Sequence, residues 1–223
     1  MANVIVGCIM QHSKINKKGE VKMNMTLEEN DLLFAKVKPN AIIPTKDLEN
    51  AGYDIYSCFE EDYIIIKPHS TQLIPTGIAA AMSDKYYLQV QERGSTGSKG
   101  MKYGAGVVDS GYRGEIFMCI NNVNKKPIII SKLSYEELID KYGEEDEDGD
   151  IEIPLNPSER EYGSLWINND SEYFRPIIYP YEKAIGQLVV LRVPIMNVKE
   201  VTYEELLQVP SKRGTGKLGS SNK

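Results

Sequence analysis

Short runs rich in β-branched and aromatic residues alternate along this chain with turn residues at intervals near ten. The runs are 34–38, 52–58, 63–67, 71–79, 86–91, 115–123 and 184–193, and Pro39, Pro68, Pro75 and Pro194 mark ends. Strands this short and this regularly spaced cannot cover a parallel sheet with crossover helices. They fit an all-β fold, a distorted jelly-roll β-barrel. No internal repeat is evident, although KPIII at 126–130 and RPIIY at 175–179 both read as strand starts.

Between those two starts the pattern breaks. Residues 131–175 hold fourteen acidic and four basic side chains, a net of −10 in a chain whose total is −6. The run EEDEDGD at 144–150 predicts a solvated loop, because like charges repel. Ahead of it Ser134 and Glu137 form a capping box, Leu133 and Leu138 sit at staple positions, and Gly143 follows the last turn, which predicts a helix. With Tyr162, Leu165, Trp166, Tyr173 and Phe174, the segment is too apolar for a linker. It reads as a small α-containing insert that packs on the barrel or offers a surface to a protein partner. The expected division is therefore an extension over 1–33, a barrel over 34–130 and 176–208, an insert over 131–175, and a flexible glycine-rich basic tail over 209–223. A further expectation is that a short glycine-containing turn from Ile130 to Pro176 can replace the insert with fold and activity kept.

Several classes are excluded. No stretch approaches the eighteen or so apolar residues of a membrane crossing, and neither membrane nor direct nucleic-acid binding is expected. The N-terminal MANVIVGCIMQ has no basic run ahead of its apolar residues, so a secretory signal is not expected. Cys8, Cys58 and Cys119 are odd in number and lack metal-ligand spacing, and there are only two histidines. The location expected is the cytoplasm, or a host cytoplasm or nucleus for a viral protein.

Two stretches suit a polyphosphate: RGSTGSKG at 93–100 and RGTGKLGSS at 213–221. Each combines an arginine with hydroxyls and glycine-freed backbone amides. Neither is a P-loop, since Lys99 precedes Gly100 and Lys217 precedes Leu218 where that motif needs Ser or Thr. Taken singly, either stretch also fits a solvated loop.

The segment GAGVVDSGYRGE at 104–115 decides between these readings. Together with AGYDI at 51–55, the Arg93 loop, AIGQL at 184–188 and the Arg213 tail, it resembles the five ordered motifs of the trimeric dUTPase family. That resemblance implies Mg2+-dependent hydrolysis of dUTP to dUMP and pyrophosphate, which keeps uracil out of DNA and supplies dUMP for thymidylate synthesis. It implies a homotrimer with sites shared between subunits and closed by a neighbour's tail. Asp109 would activate the attacking water, with Arg93 and Gln187 as the other catalytic residues. Gly94 and Ser95 would meet the phosphates, and Asp54 would hold metal-bound water. Gly104, Gly106, Val107 and Val108 form a hairpin that offers backbone groups to uracil, and Tyr112 stacks under the deoxyribose. Arg213, Gly214, Leu218, Gly219 and Ser220 would close over the substrate.

The sequence departs from the family pattern at two places. Gly94 follows Arg93 where the family has serine, and Leu218 stands where it has a phenylalanine. Two alternatives stay open. One is a dCTP deaminase-like enzyme of the same fold, although Cys119 occupies the position of that enzyme's catalytic glutamate. The other is a nucleotide-sensing regulatory module whose acidic insert binds a protein.

Overall fold

The computed structural model describes residues 14–15, 21–22, 26–158, 163–168 and 175–215. The chain divides after Val193 into two units, Met1–Val193 and Pro194–Lys223. The first unit is almost entirely strand. Its elements, in order, are β1 Lys14–Ile15, β2 Val21–Lys22, β3 Leu32–Lys36, β4 Gly52–Ile55, β5 Tyr63–Ile66, β6 Thr71–Pro75, β7 Ile78–Met82, β8 Tyr86–Gln91, the short turn α1 Gly94–Gly97, β9 Met101–Gly104, β10 Val107–Val108, β11 Phe117–Asn122, β12 Ile128–Ser131, α2 Tyr135–Tyr142, β13 Glu144–Glu145, β14 Ile151–Pro154, β15 Ser164–Ile167, β16 Ile177–Pro180 and β17 Gly186–Arg192.

These strands pair into small sheets, β10-β8-β17-β4, β6-β11-β9, β16-β12-β5, β13-β14-β15, β3-β7 and β1-β2, the arrangement of a distorted jelly roll. The run 71–79, expected as one strand, is two. Gly77 adopts φ +65°, and a Cβ there would lie 2.7 Å from Ala41 Cβ, so the chain turns where only glycine fits. The main core is aliphatic, built from residues such as Ile55, Ile74, Leu88, Met118, Ile128, Ile130 and Leu188, all fully buried.

Alternation explains the three isoleucines of β12. Ile128 and Ile130 face the main core, while Ile129 joins Tyr63, Ile65, Leu138, Ile151, Ile153 and Ile167 in a second core. A strand buried on both faces reads as a continuous apolar run. The second core lies between the outer face of β5-β12-β16 and the insert, whose α2, β14 and β15 supply the other wall.

The insert packs on the barrel, one of the two roles expected of it. The helix and its capping box are as read: Ser134 Oγ accepts from the Glu137 amide at 3.2 Å, and Glu137 Oε2 accepts from the Ser134 amide at 2.8 Å. The insert also contains a three-stranded antiparallel sheet. It shares its core with the jelly roll, and Lys141 and the Tyr142 hydroxyl both bond Asp62 at the edge of β5. Moreover β12 and β16 are parallel neighbours, Ile128 opposite Ile177, so the insert is the crossover between them. A short turn cannot join parallel strands.

Both outer boundaries also move. Leu32 begins β3 and packs on the core, two residues before the expected barrel start. Pro194 has no N–H with which to extend the β17 ladder, and residues 194–208, read as barrel, belong to the second unit. That unit contains α3, Tyr203–Leu207, capped by Thr202 and Glu205, with Ile195 94% exposed.

Candidate functional site

The sheet β10-β8-β17-β4 positions most of the expected residues. Gln187 on β17 lies opposite Asp54 on β4 and Gln91 on β8, which places one row of polar side chains across three strands. Two residues beyond β8 comes Arg93. Its Nε donates to Asp54 Oδ1 at 2.9 Å, and its Nη1 donates to the carbonyl of Ala184 at 3.5 Å. The Gln187 amide donates to the carbonyl of Glu92 at 2.7 Å. A Cβ on Gly52 would sit 2.5 Å from Gln187 Oε1, so glycine there lets the amide lie against the β4 backbone.

These residues enclose a cavity of about 360 Å3, lined by Asn50, Ala51, Gly52, Asp54, Arg93, Gly94, Ser95 and Gln187. The first-turn amides of Gly94 and Ser95 in α1 have no intrahelical acceptor. The structure also separates the hydroxyls of the loop. Thr96 is buried, its Oγ1 accepting from the Arg93 amide at 3.0 Å and donating to the Arg93 carbonyl at 3.1 Å, whereas exposed Ser95 lines the cavity. Of the Ser95 and Thr96 hydroxyls, that of Ser95 is the one at the cavity wall. A guanidinium, open amides and a hydroxyl around one polar cavity form a site for an anion with several oxygens.

Asp109 and Tyr112 are elsewhere. Val107 and Val108 pair with Gln89 and Leu88 on the opposite edge of the sheet from β4. Continuing that register puts Asp109 roughly 13 Å along the strands from the Gln187 row and roughly 10 Å across them. Asp109 and Tyr112 are exposed, and the Tyr112 hydroxyl donates to the Glu115 carbonyl at 2.9 Å. Gly104 to Val108 is not a hairpin: β9 pairs with β11 and β10 with β8, so the segment bridges two sheets through Ala105 at φ 48°. The carbonyl of Gly106 accepts from the Val90 amide at 2.7 Å and from Gln89 Nε2 at 3.0 Å.

In the second unit, the amides of Arg213 and Gly214 both donate to Ser211 Oγ, at 3.2 and 3.0 Å. Leu218, Gly219 and Ser220, like Cys8, Tyr162, Tyr173 and Phe174, lie outside the described residues. Cys119 is half-buried on β11 between Leu73 and Gly104. Among the described residues no group of three His, Cys, Asp or Glu could hold a metal ion, and no helix is long and apolar enough to cross a membrane.

The reading of motifs did not find two tyrosines, buried Tyr179 and half-buried Tyr103. Tyr179 on β16 donates to the Ala184 carbonyl at 2.7 Å, and Tyr103 on β9 donates to the Ile185 carbonyl. Both look like ordinary core aromatics in the sequence, and nothing there signals their hydroxyl partners.

Fold and cavity together describe a jelly-roll protein with a polar cavity lined by a guanidinium, a hydroxyl and a carboxylate. Comparison narrows the class: the dUTPase family model matches residues 38–134. A deoxyuridine 5′-triphosphate nucleotidohydrolase of Leptospira interrogans is 29% identical over 103 residues, 44% of this chain and 70% of that protein. The swinepox virus enzyme of the same name is 39% identical over 90 residues, 39% of this chain and 61% of its own length. A solved dUTPase of Staphylococcus bacteriophage 80alpha superposes with a TM-score of 0.57 at 23% identity, covering 87% of this chain and 99% of that one, a likeness of fold. Residues 38–134 are thus similar to the dUTPase family, and over the rest of the chain the likeness is one of fold.

Proposed function

We propose that this chain hydrolyses dUTP to dUMP and pyrophosphate in a homotrimer whose sites combine residues from different subunits. The observation that carries the reading is the convergence of Asp54, Arg93, Gly94, Ser95 and Gln187, three separate motifs of the family, on one cavity. Arg93, the open amides and Ser95 hold the phosphates and oppose the charge that develops on them. Water attacks the α-phosphorus, the bond from that phosphorus to the α,β-bridging oxygen breaks, and pyrophosphate leaves. Asp109 accepts the water's proton. In one chain Asp109 lies too far from the Arg93 cavity to act there, and a second copy supplying its Asp109 and Tyr112 removes that separation. The uracil edge is then read by the backbone of Gly104 to Val108, which leaves a cytosine with an unpaired buried donor, a cost of about 1–3 kcal/mol.

The donor set fits Mg2+ only in one manner. The cavity has a single carboxylate, Asp54, with Oδ1 already taken by Arg93, which suits a hold on metal-bound water and leaves direct ligation to substrate phosphates. When bound, the ion would neutralise phosphate charge.

Side-by-side pyrophosphate release from dUTP, dCTP, dTTP and UTP tests the reading. Release from dUTP alone is expected. Ammonia release from dCTP would move the chain to the deaminase class, and no release from any of the four would leave a binding module.

A further inference from the structure

The carbonyl of Ala184 is shared. It accepts the Tyr179 hydroxyl at 2.7 Å and Arg93 Nη1 at 3.5 Å, while the next carbonyl, of Ile185, accepts the Tyr103 hydroxyl. Ala184 and Ile185 are buried, and the Ile185 amide donates to the Ile55 carbonyl at 2.9 Å, so the peptide between β16 and β17 is tied on several sides. A Cβ at Gly186 would lie 2.3 Å from Met118 Cε, which would have to swing aside, and 3.3 Å from the Gln91 carbonyl oxygen, so the turn is closely packed. Arg93 is thus fixed at two of its five N–H donors, by Asp54 and by Ala184, and three remain for a ligand.

We infer that Tyr179 and Tyr103 are positioning residues, whose hydroxyls hold the Ala184–Ile185 carbonyls as a fixed shelf against which the Arg93 guanidinium takes its working orientation. Burial pushes the Tyr179 hydroxyl pKa up, with Ser95 and Arg93 beside it pulling the other way, and burial pushes Tyr103 up further. Both hydroxyls therefore stay protonated donors across the working pH range. Without the Tyr179 donor the Ala184 carbonyl depends on Arg93 alone, and the guanidinium is drawn toward it and away from the cavity. This inference rests on the reading of Arg93 as a phosphate ligand.

The test removes one oxygen. Tyr179→Phe, Arg93→Lys and the double variant are compared in the full chain, with Tyr103→Phe as a second probe should Tyr179→Phe fold poorly. The readouts are pyrophosphate release from dUTP and calorimetric affinity for inorganic triphosphate. Tyr179→Phe is expected to lower kcat/KM and triphosphate affinity about tenfold, and the double variant is expected to be no worse than Arg93→Lys, because the hydroxyl acts through the guanidinium. Losses that multiply in the double variant, or a Tyr179→Phe protein that binds and turns over like the intact one, overturn the inference. An intact protein inactive on dUTP refutes the functional reading instead, and the triphosphate cycle still decides the shelf.

Discussion

Removing the insert and closing the gap with a short turn between Ile130 and Pro176 should destroy the fold. Two independent quantities say so. The first is geometric: because Ile128 pairs in parallel with Ile177, the chain must travel back along the full strand before re-entering beside its start. That path is roughly 10 Å plus the excursion around the sheet, and parallel crossovers use a dozen residues or more. The second is energetic. Ile65 and Ile129, buried against the insert, would face water, at about 1.5–3 kcal/mol each, or about 3–6 kcal/mol together. A domain's whole stability is about 5–15 kcal/mol. At about 2–4 °C per kcal/mol for a chain of this size, a deletion bridged by a flexible linker of about fifteen residues should melt about 6–24 °C below the intact protein. The short-turn deletion should give no cooperative transition. Adding Ile65→Thr and Ile129→Thr to the long-linker variant should recover solubility. Thermal unfolding and size-exclusion chromatography on the set measure all three. A short-turn variant that melts within about 2 °C of the intact protein would refute both the crossover and the shared core.

Asp109→Asn keeps size and most hydrogen bonds but cannot take a proton, so kcat should fall about 10²-fold or more with dUTP affinity kept; near-normal turnover removes Asp109 from the chemistry. Truncation after Pro210 should leave assembly intact and abolish most activity, and mixing that protein with Asp109→Asn should restore some turnover once subunits have exchanged; failure after confirmed exchange counts against shared sites. The hydrogen bond from Lys141, then that from Tyr142, holds the Asp62 carboxyl below its usual value of about 3.9. Its contribution is therefore complete above that value and is lost only as pH falls through the lower folded one. Asp62→Asn should lower Tm at pH 7 and flatten the acid limb of Tm against pH, and identical acid limbs would show that the carboxylate does not fasten the insert.

The strand rhythm made the jelly roll legible, because alternation and turn residues are local signals, and the Ser134 capping box gave α2 for the same reason. Of the three insert strands, β13 was hidden by its charges, because Glu144 and Glu145 open the acidic run read as loop, while IEIP and SLWI are too short to mark a strand or name its partner. The parallel pairing of β12 with β16 was beyond local reading, since IIIS and IIYP carry no mark of partner or direction. At the site, motif order identified Asp54, Arg93 and Gln187, and only the structure showed that Asp54 and Gln187 share a row, that Arg93 reaches Asp54 from beyond β8, and that Asp109 lies apart. Tyr103 and Tyr179 escaped notice because a hydroxyl's acceptor is a tertiary fact.

The row that joins Asp54 to Gln187 has a consequence for how the protein is made. Asp54 belongs to an early strand and Gln187 to β17, which among the described residues is the strand that sits between β8 and β4 and links them. During synthesis β8 can pair with β10, but the edges of β4 and β8 that β17 fills stay open while the whole insert follows. Until β17 emerges, β4 and the β8-β10 pair are not joined and the Arg93 cavity is incomplete. Such distant pairings close slowly and leave strand edges open to other chains in the interval. A pause or truncation anywhere between Ile130 and Gly186 should therefore yield aggregation-prone chains, and the Asp54–Gln187 row is completed only with β17.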